Sequence, residues 1–192
     1  MIIAVTGPIS SGKGKVAEFF RDKGFVHHSF SAEIRQVAKE RGIEVSRETL
    51  SKLGHDLRIE SPDKSILGQK LLDKIEKEVA KGKKRFVLEG LRDADEVDLF
   101  RKHELEKPEM RFILIGVDAP QELRFERMKS RRRHGEPQTF AEFKEIDDKE
   151  WKGGYGQEVG KIMKMADYII QNDSALDDLQ KKVEEIAKEI LG

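Results

Sequence analysis

Short apolar runs alternate along this chain with longer stretches of helical spacing. Ile2 to Val5, Phe25 to Phe30, Arg85 to Gly90, Phe112 to Asp118 and Ala166 to Ile170 read as five strands. Helical periodicity fills the intervals: Val16 to Phe20, Ala32 to Arg41, Ser46 to Leu57, Leu67 to Val79, Asp93 to His103, Gln121 to Arg132, and a segment from about Thr139. A last helix runs from Ser174, as its cap, to Ile190. Gly24, Gly42, Pro62 and Gly82 punctuate the chain, and Pro120 suits a first helical turn. Gly153, Gly154 and Gly156 read as loosened chain before the fifth strand. Strands alternating with helices predict an α/β fold of three layers, a five-stranded parallel sheet with helices on both faces.

The first strand breaks into Gly7-Pro8-Ile9-Ser10-Ser11-Gly12-Lys13-Gly14-Lys15, and a helix follows at once. Glycines at both ends let the backbone curl so that successive N–H groups face an anion. The helix adds its positive N-terminal end, and Lys13 a full charge for the outer phosphates. A plain Gly/Ser turn is the alternative, but the strand, both glycines and the lysine stand in register. Gly14 occupies the position where Ser or Thr usually offers magnesium a hydroxyl. The form Gly-Lys-Gly resembles the adenylate-kinase loop, which implies magnesium held mostly through water and phosphate oxygens.

Composition narrows the picture. A length of 192 residues suits one α/β domain. Lysine plus arginine total 37, as do aspartate plus glutamate, so the neutral chain offers no overall field for a polyanion. Cysteine is absent, which excludes a disulfide framework and thiolate metal sites. No apolar run approaches a membrane span, and the first strand starts at once, leaving no room for a signal peptide. A cytoplasmic protein is the expectation. The five histidines read as structural or surface residues, and metal sites are not signalled.

Ligands of a parallel α/β sheet bind at the carboxyl ends of its strands. The candidates fall there: the glycine loop, Ser31 to Arg35, Glu89 to Arg92, Asp118, and Asn172 to Ser174. Arginine suits phosphoryl transfer because its planar fork grips phosphate oxygens and stays charged. Arg35 and Arg92 are therefore expected at an acceptor phosphate, with Arg58 a weaker third; surface arginines of a charge-rich protein are the alternative. Glu89 is placed to orient magnesium-bound water or the acceptor, or else to serve as a cap or ion-pair partner. Arg124, Arg127 and Arg131, three and four apart, share a helix face. That stripe reads as a lid over the donor nucleotide, against the rivals of a nucleic-acid patch or a solvated face paired with Glu122 and Glu126.

Together Gly7 to Gly14, Ser29-Phe30-Ser31-Ala32-Glu33-Ile34-Arg35, Glu89-Gly90-Leu91-Arg92 and Arg127-x-x-x-Arg131-Arg132 resemble the nucleoside monophosphate kinases, adenylate kinase most familiarly. Arg47 through Arg58, with Glu96-Val97, resembles deoxynucleoside monophosphate kinases, and the tail from Ala166 to Leu176 is similar to dephospho-coenzyme A kinases. Uncharacterised archaeal kinase-like proteins combine these features.

The resemblance implies a single P-loop kinase domain over residues 1–192, an acceptor-binding helical region at about 31–82 and a short lid at about 131–150. It implies ATP and magnesium as cofactors, with Gly7, Pro8, Ser10, Ser11, Gly12, Lys13, Gly14, Lys15, Arg127 and Asn172 binding the nucleotide, Arg127 against the donor base. Lys13, Glu89, Arg92 and Arg131 would carry catalysis, Arg131 bridging the phosphates, and Arg35, Arg58 and Arg92 would bind the acceptor. The expected reaction passes the γ-phosphate of ATP to a nucleoside or deoxynucleoside monophosphate, without membrane or nucleic-acid partners. Three departures stand out: Phe30 and Ala32 replace the family's Thr and Asp, and Ile146 stands where an arginine precedes the Asp pair, unless Arg132 or Arg133 replaces its charge. Dephospho-coenzyme A kinase, and a nucleotide-binding regulator with weak ATPase activity, are the alternatives. A GTPase switch is disfavoured by the missing Asn-Lys-x-Asp motif.

Overall fold

The computed structural model describes residues 1–60, 65–131, 135–153 and 158–192. Five strands pair in parallel: β1 (Ile2–Thr6), β2 (Val26–Ser29), β3 (Phe86–Glu89), β4 (Phe112–Asp118) and β5 (Tyr168–Gln171). Their spatial order is β2-β3-β1-β4-β5. The order reverses at β1, which lies between β3 and β4, so a crevice opens beyond its carboxyl end. Register gathers the tips there, with Val5 and Ser29 both opposite Glu89 and Thr6 opposite Gly116.

Alternate residues of the central strands point to opposite faces, and both sets are apolar because both faces are covered. Ile2, Ala4, Phe86, Leu88, Phe112 and Leu114 enter one core. It is roofed by α2 (Phe30–Glu40), α3 (Arg47–Glu60), α4 (Ile66–Val79), α5 (Ala94–Glu106) and α8 (Val159–Met165). Ile3, Val5, Val87, Ile113, Ile115 and Val117 enter the other, against α1 (Lys13–Asp22) and α9 (Leu176–Leu191). The remaining pair, α6 (Gln121–Ser130) and α7 (Phe140–Lys152), builds a small third cluster with the glycine loop: Ile9, Met128 and Phe143, flanked by Phe125, Phe140 and Ile146. Ile146, where the family places an arginine, thus packs as an anchor of α7.

The expected architecture is the observed one, with local corrections. The helix α8 was not foreseen. Its seven residues sit in a glycine-rich stretch, and what holds them helical is burial of Val159, Ile162 and Met163 under the sheet. Expected to start at Ala166, β5 begins at Tyr168, since Ala166 ends α8. Ser174 is not the cap of α9; Ala175 holds that position without a side-chain bond. Pro120 stands one position earlier than expected, as the N-cap of α6. Thr139 caps α7 through a full capping box with Glu142, and Asp93 caps α5 by accepting from the Asp95 amide at 2.9 Å. Pro62, Gly154, Gly156, Arg132 and Arg133 lie outside the described residues.

One buried ion pair joins α6, α7 and the glycine loop. Arg124 donates through Nε to the Ala119 carbonyl (2.8 Å), through Nη1 to the Ile9 carbonyl (3.2 Å), and through both terminal nitrogens to the Asp147 carboxylate. Arg124 is therefore a clamp under the loop rather than part of a free stripe. Removing Asp147 would leave that guanidinium buried and uncompensated, so Asp147→Ala should cost about 3–5 kcal/mol in urea unfolding. Combining Asp147→Leu with Arg124→Met should recover part of that loss.

Candidate active site

Between β1 and α1 the chain turns through a left-handed region at Gly7 (φ 143°), Ser10 (φ 58°) and Gly12 (φ 108°). A Cβ on Gly7 would stand 2.1 Å from the Val117 carbonyl oxygen, so glycine is required there both by conformation and by space. The amides of Lys13 and Gly14 open α1 and have no intrahelical acceptor. Ser11 Oγ is buried and has no hydrogen-bond partner among the described residues. Helix-opening amides without intrahelical acceptors and a buried unpartnered hydroxyl beside them make a cradle that fits the phosphates of a nucleotide.

Lys13 is buried, and its Nζ donates to the carbonyls of Gly7 (2.8 Å) and Pro8 (2.6 Å). Burial lowers its pKa to about 7, and the nearby Arg92 charge acts in the same direction. Lys15 does not converge with the loop: its Nζ pairs with Glu18 on the exposed side of α1 at 2.7 Å.

The far wall of the loop is held by Asn172, at the end of β5. Its Nδ2 donates to the Ser11 carbonyl (2.8 Å) and its amide to the Asp118 carbonyl (2.7 Å). Arg127 donates to the Asn172 carbonyl (2.9 Å) and to its Oδ1 (3.3 Å). These two residues, both expected from sequence to bind the nucleotide, thus stand together beside the loop, and the Asn172 side chain is a strut for it.

Glu89 ends β3 directly over the start of α1. A Cβ on Gly14 would lie 3.3 Å from its Oε1, so a glycine there makes room for the carboxylate. His27, on neighbouring β2, brings Nε2 to 3.4 Å from the other oxygen. The imidazole beside it holds the Glu89 carboxyl below its ordinary range; burial opposes this, and Lys13 and Arg131 reinforce it. His27, read from sequence as structural or surface, stands behind Glu89 and reaches the site only through it.

A cleft of about 380 Å³ opens over these tips. Lys13, Arg35, Arg58, Arg92, Arg131 and Glu89 all line it, together with the apolar Phe30, Ile34 and Leu50 from the helices that follow β2. The guanidinium of Arg35 donates to Ser31 Oγ at 2.9 Å. Arg58 is buried on the wall with Nη2 on Glu96 (2.9 Å) and Nε 3.7 Å from Asp93, so two carboxylates already neutralise it. Burial pushes the Glu96 carboxyl up, and Arg58 works against that rise. Arg92 pairs with Glu150 of α7 at 2.5 Å.

Glu150 was missed in the sequence because Lys149-Glu150-Trp151-Lys152 looks like a solvated helix end. One signal was available: Phe143, Asp147 and Glu150 follow the i, i+4, i+7 rhythm of a buried face anchored by phenylalanine.

Comparison with known proteins extends this geometry. A family model described as AAA domain matches residues 6–144. A UPF0200 protein of Thermococcus onnurineus (strain NA1) is 35% identical over 195 residues, spanning 100% of this chain and 98% of its own length. The chain belongs to the UPF0200 family. Among solved structures, shikimate kinase from Aquifex aeolicus superposes with a TM-score of 0.55 at 16% identity, covering 100% of this chain and 99% of that one. Dephospho-CoA kinase from Campylobacter jejuni gives 0.56 at 16% identity, covering 98% and 96%. At that identity the likeness is one of fold, and this UPF0200 chain has the fold of the P-loop kinases.

Magnesium, which that fold implies, takes hard oxygen donors. Glu89, ionised and lying over Gly14, fits such an ion. The lowered pKa of Lys13 predicts a linkage. An anion in the cradle restores its proton, so nucleotide binding at about pH 8 should take up close to one proton. Affinity should then weaken above pH 7, approaching tenfold per unit. Calorimetry in two buffers of different ionisation enthalpy measures the uptake.

Proposed function

We propose that this chain is an ATP-dependent phosphotransferase whose acceptor is a nucleoside or deoxynucleoside monophosphate. The observation that carries the reading is convergence: the cradle with Lys13, the Glu89 carboxylate, and the guanidinium-bearing residues Arg35, Arg92 and Arg131 line one cleft at the strand tips.

The loop amides and Lys13 would hold the donor phosphates, with Lys13 swinging from the Gly7 and Pro8 carbonyls onto the γ-phosphate. Arg127 and Asn172 would border the donor base. Arg35 and Arg92 would seat the acceptor phosphate, and Arg58 would shape the wall behind it. Arg131 would bridge donor and acceptor, where charge spreads in a loose transition state. Magnesium, when bound, would neutralise phosphate charge, and Glu89 is the residue that would hold it. The helices of residues 31–82 would form the acceptor wall and residues 131–150 the lid that excludes water. Fixed positive groups of this kind lower the barrier without a covalent intermediate. The proposed place of action is the cytoplasm; no described helix is long and apolar enough to cross a membrane.

A hydroxyl acceptor is the second reading, favoured by an ionised carboxylate, Glu89, lining the cleft. An alcohol must lose its proton as its oxygen bonds to phosphorus, and Glu89 would accept it. The base missing at Ala32 would then be supplied from β3.

The test is ADP release over a panel of ribo- and deoxyribonucleoside monophosphates, dephospho-coenzyme A and shikimate. Turnover with a monophosphate is expected, and Lys13→Ala should lower it roughly 10²–10³-fold. Turnover with only an alcohol would select the second reading. A folded protein that binds ATP yet transfers to none of them would overturn both and favour a nucleotide-binding regulator.

A further inference from the structure

Glu150 puts a buried carboxylate in a cleft assigned to phosphates. Its residue is 5% exposed although it stands near the end of a surface helix. Three anchors hold that helix at the loop: the capping box at Thr139, the aromatic cluster of Phe125, Phe140 and Phe143, and the Arg124–Asp147 pair. With α7 so fixed, the residue three positions after Asp147 is carried onto Arg92. Lys13 and Arg92 repel one another there, and Glu150 offsets both.

A carboxylate and a phosphate oxygen make the same demand on a guanidinium, a charge-assisted bond to a planar fork. An arriving phosphate adds negative charge beside Glu150 at low dielectric, where like charges repel strongly. The two anions therefore contend for Arg92.

We propose that Glu150 is a built-in stand-in for the acceptor's phosphate: it neutralises Arg92 in the ligand-free site, and the acceptor must expel it to bind. Acceptor affinity is accordingly set below what the arginines alone would give, and acceptor binding is coupled to movement at the end of α7. This rests on the proposed acceptor class. It assigns to Glu150 a role in acceptor selection, since a neutral alcohol would leave the ion pair standing.

The molecule carries its own reporter. Trp151 is the sole tryptophan of the chain and adjoins Glu150. Its indole packs on α8, where a Cβ on Gly160 would lie 2.8 Å from Nε1. Displacement of Glu150 should alter that contact and shift the emission.

The experiment titrates inorganic phosphate into full-length protein saturated with magnesium and a non-hydrolysable ATP analogue, read by calorimetry and tryptophan emission. In the wild type, phosphate should bind weakly and shift the emission. Glu150→Gln, which keeps the shape and loses the charge, should bind phosphate at least about tenfold more tightly. Glu150→Asp should fall between, and Arg92→Gln should abolish the gain when combined with Glu150→Gln. Equal or weaker phosphate binding by Glu150→Gln would overturn the proposal, since Glu150 would then orient Arg92 rather than contest it. So would an unchanged wild-type emission at saturating phosphate, a result that needs no variant to fold. Failure of the ATP analogue to bind would count against the proposed function instead, and the phosphate titration on nucleotide-free protein would still decide the role of Glu150.

Discussion

Positive charge concentrated where water is scarce is the constraint that shapes this molecule. A parallel sheet delivers its strand tips to one crevice; this chain lines that crevice with Lys13, Arg58, Arg92 and Arg131 and buries Arg124 beneath the glycine loop beside it. Buried cations persist only when paired or hydrogen-bonded. Each deep one has its answer: Arg124 has Asp147, Arg58 has Glu96 and Asp93, and Arg92 has Glu150. Lys13 leans on two loop carbonyls. The acids come from α5 with its N-cap and from α7, so charge balance ties both helices to the crevice.

These pairs differ in what they leave available. Arg124 is enclosed by Asp147 and two backbone carbonyls, and it works as a clamp between α6, α7 and the loop. Arg58 is similarly enclosed beneath α5. Arg92 is about a quarter exposed at its side chain, and its partner Glu150 also lines the cleft. Arg35 and Arg131, both exposed, complete the cationic rim. A gradient runs from sealed pairs that hold the scaffold to open ones that a ligand can reach, and function is read from the open end of it.

The Gly14–Glu89 relation shows local sequence and tertiary packing acting on one another. A side chain at position 14 would crowd the carboxylate, and the carboxylate stands beside the position where the common loop has a hydroxyl. A departure that looked like a deficit in the sequence is matched by an acid from β3, with His27 of β2 beside it.

Much of the architecture was legible in the sequence because its causes are local. A seven-residue run such as Phe112 to Asp118, apolar until its last residue and too short for a helix, reads as a strand buried on both faces, and alternation of such runs with amphipathic helices points to a parallel sheet. The loop from Gly7 to Gly14 announces itself, since its glycines and lysine act through backbone geometry within a few residues. The helix α8 was not legible, because seven residues form a helix only against the core they pack upon. Nor could the roles of the charged residues be sorted. Arg124, Arg127 and Arg131 look equivalent at spacings of three and four, yet one is a buried clamp, one braces Asn172 and one faces the cleft. The sequence by itself determined the fold and the phosphate cradle. Only the tertiary structure decided which acid meets which base, because ion pairing between residues as far apart as Arg92 and Glu150 depends on distance in space, which no spacing along the chain encodes.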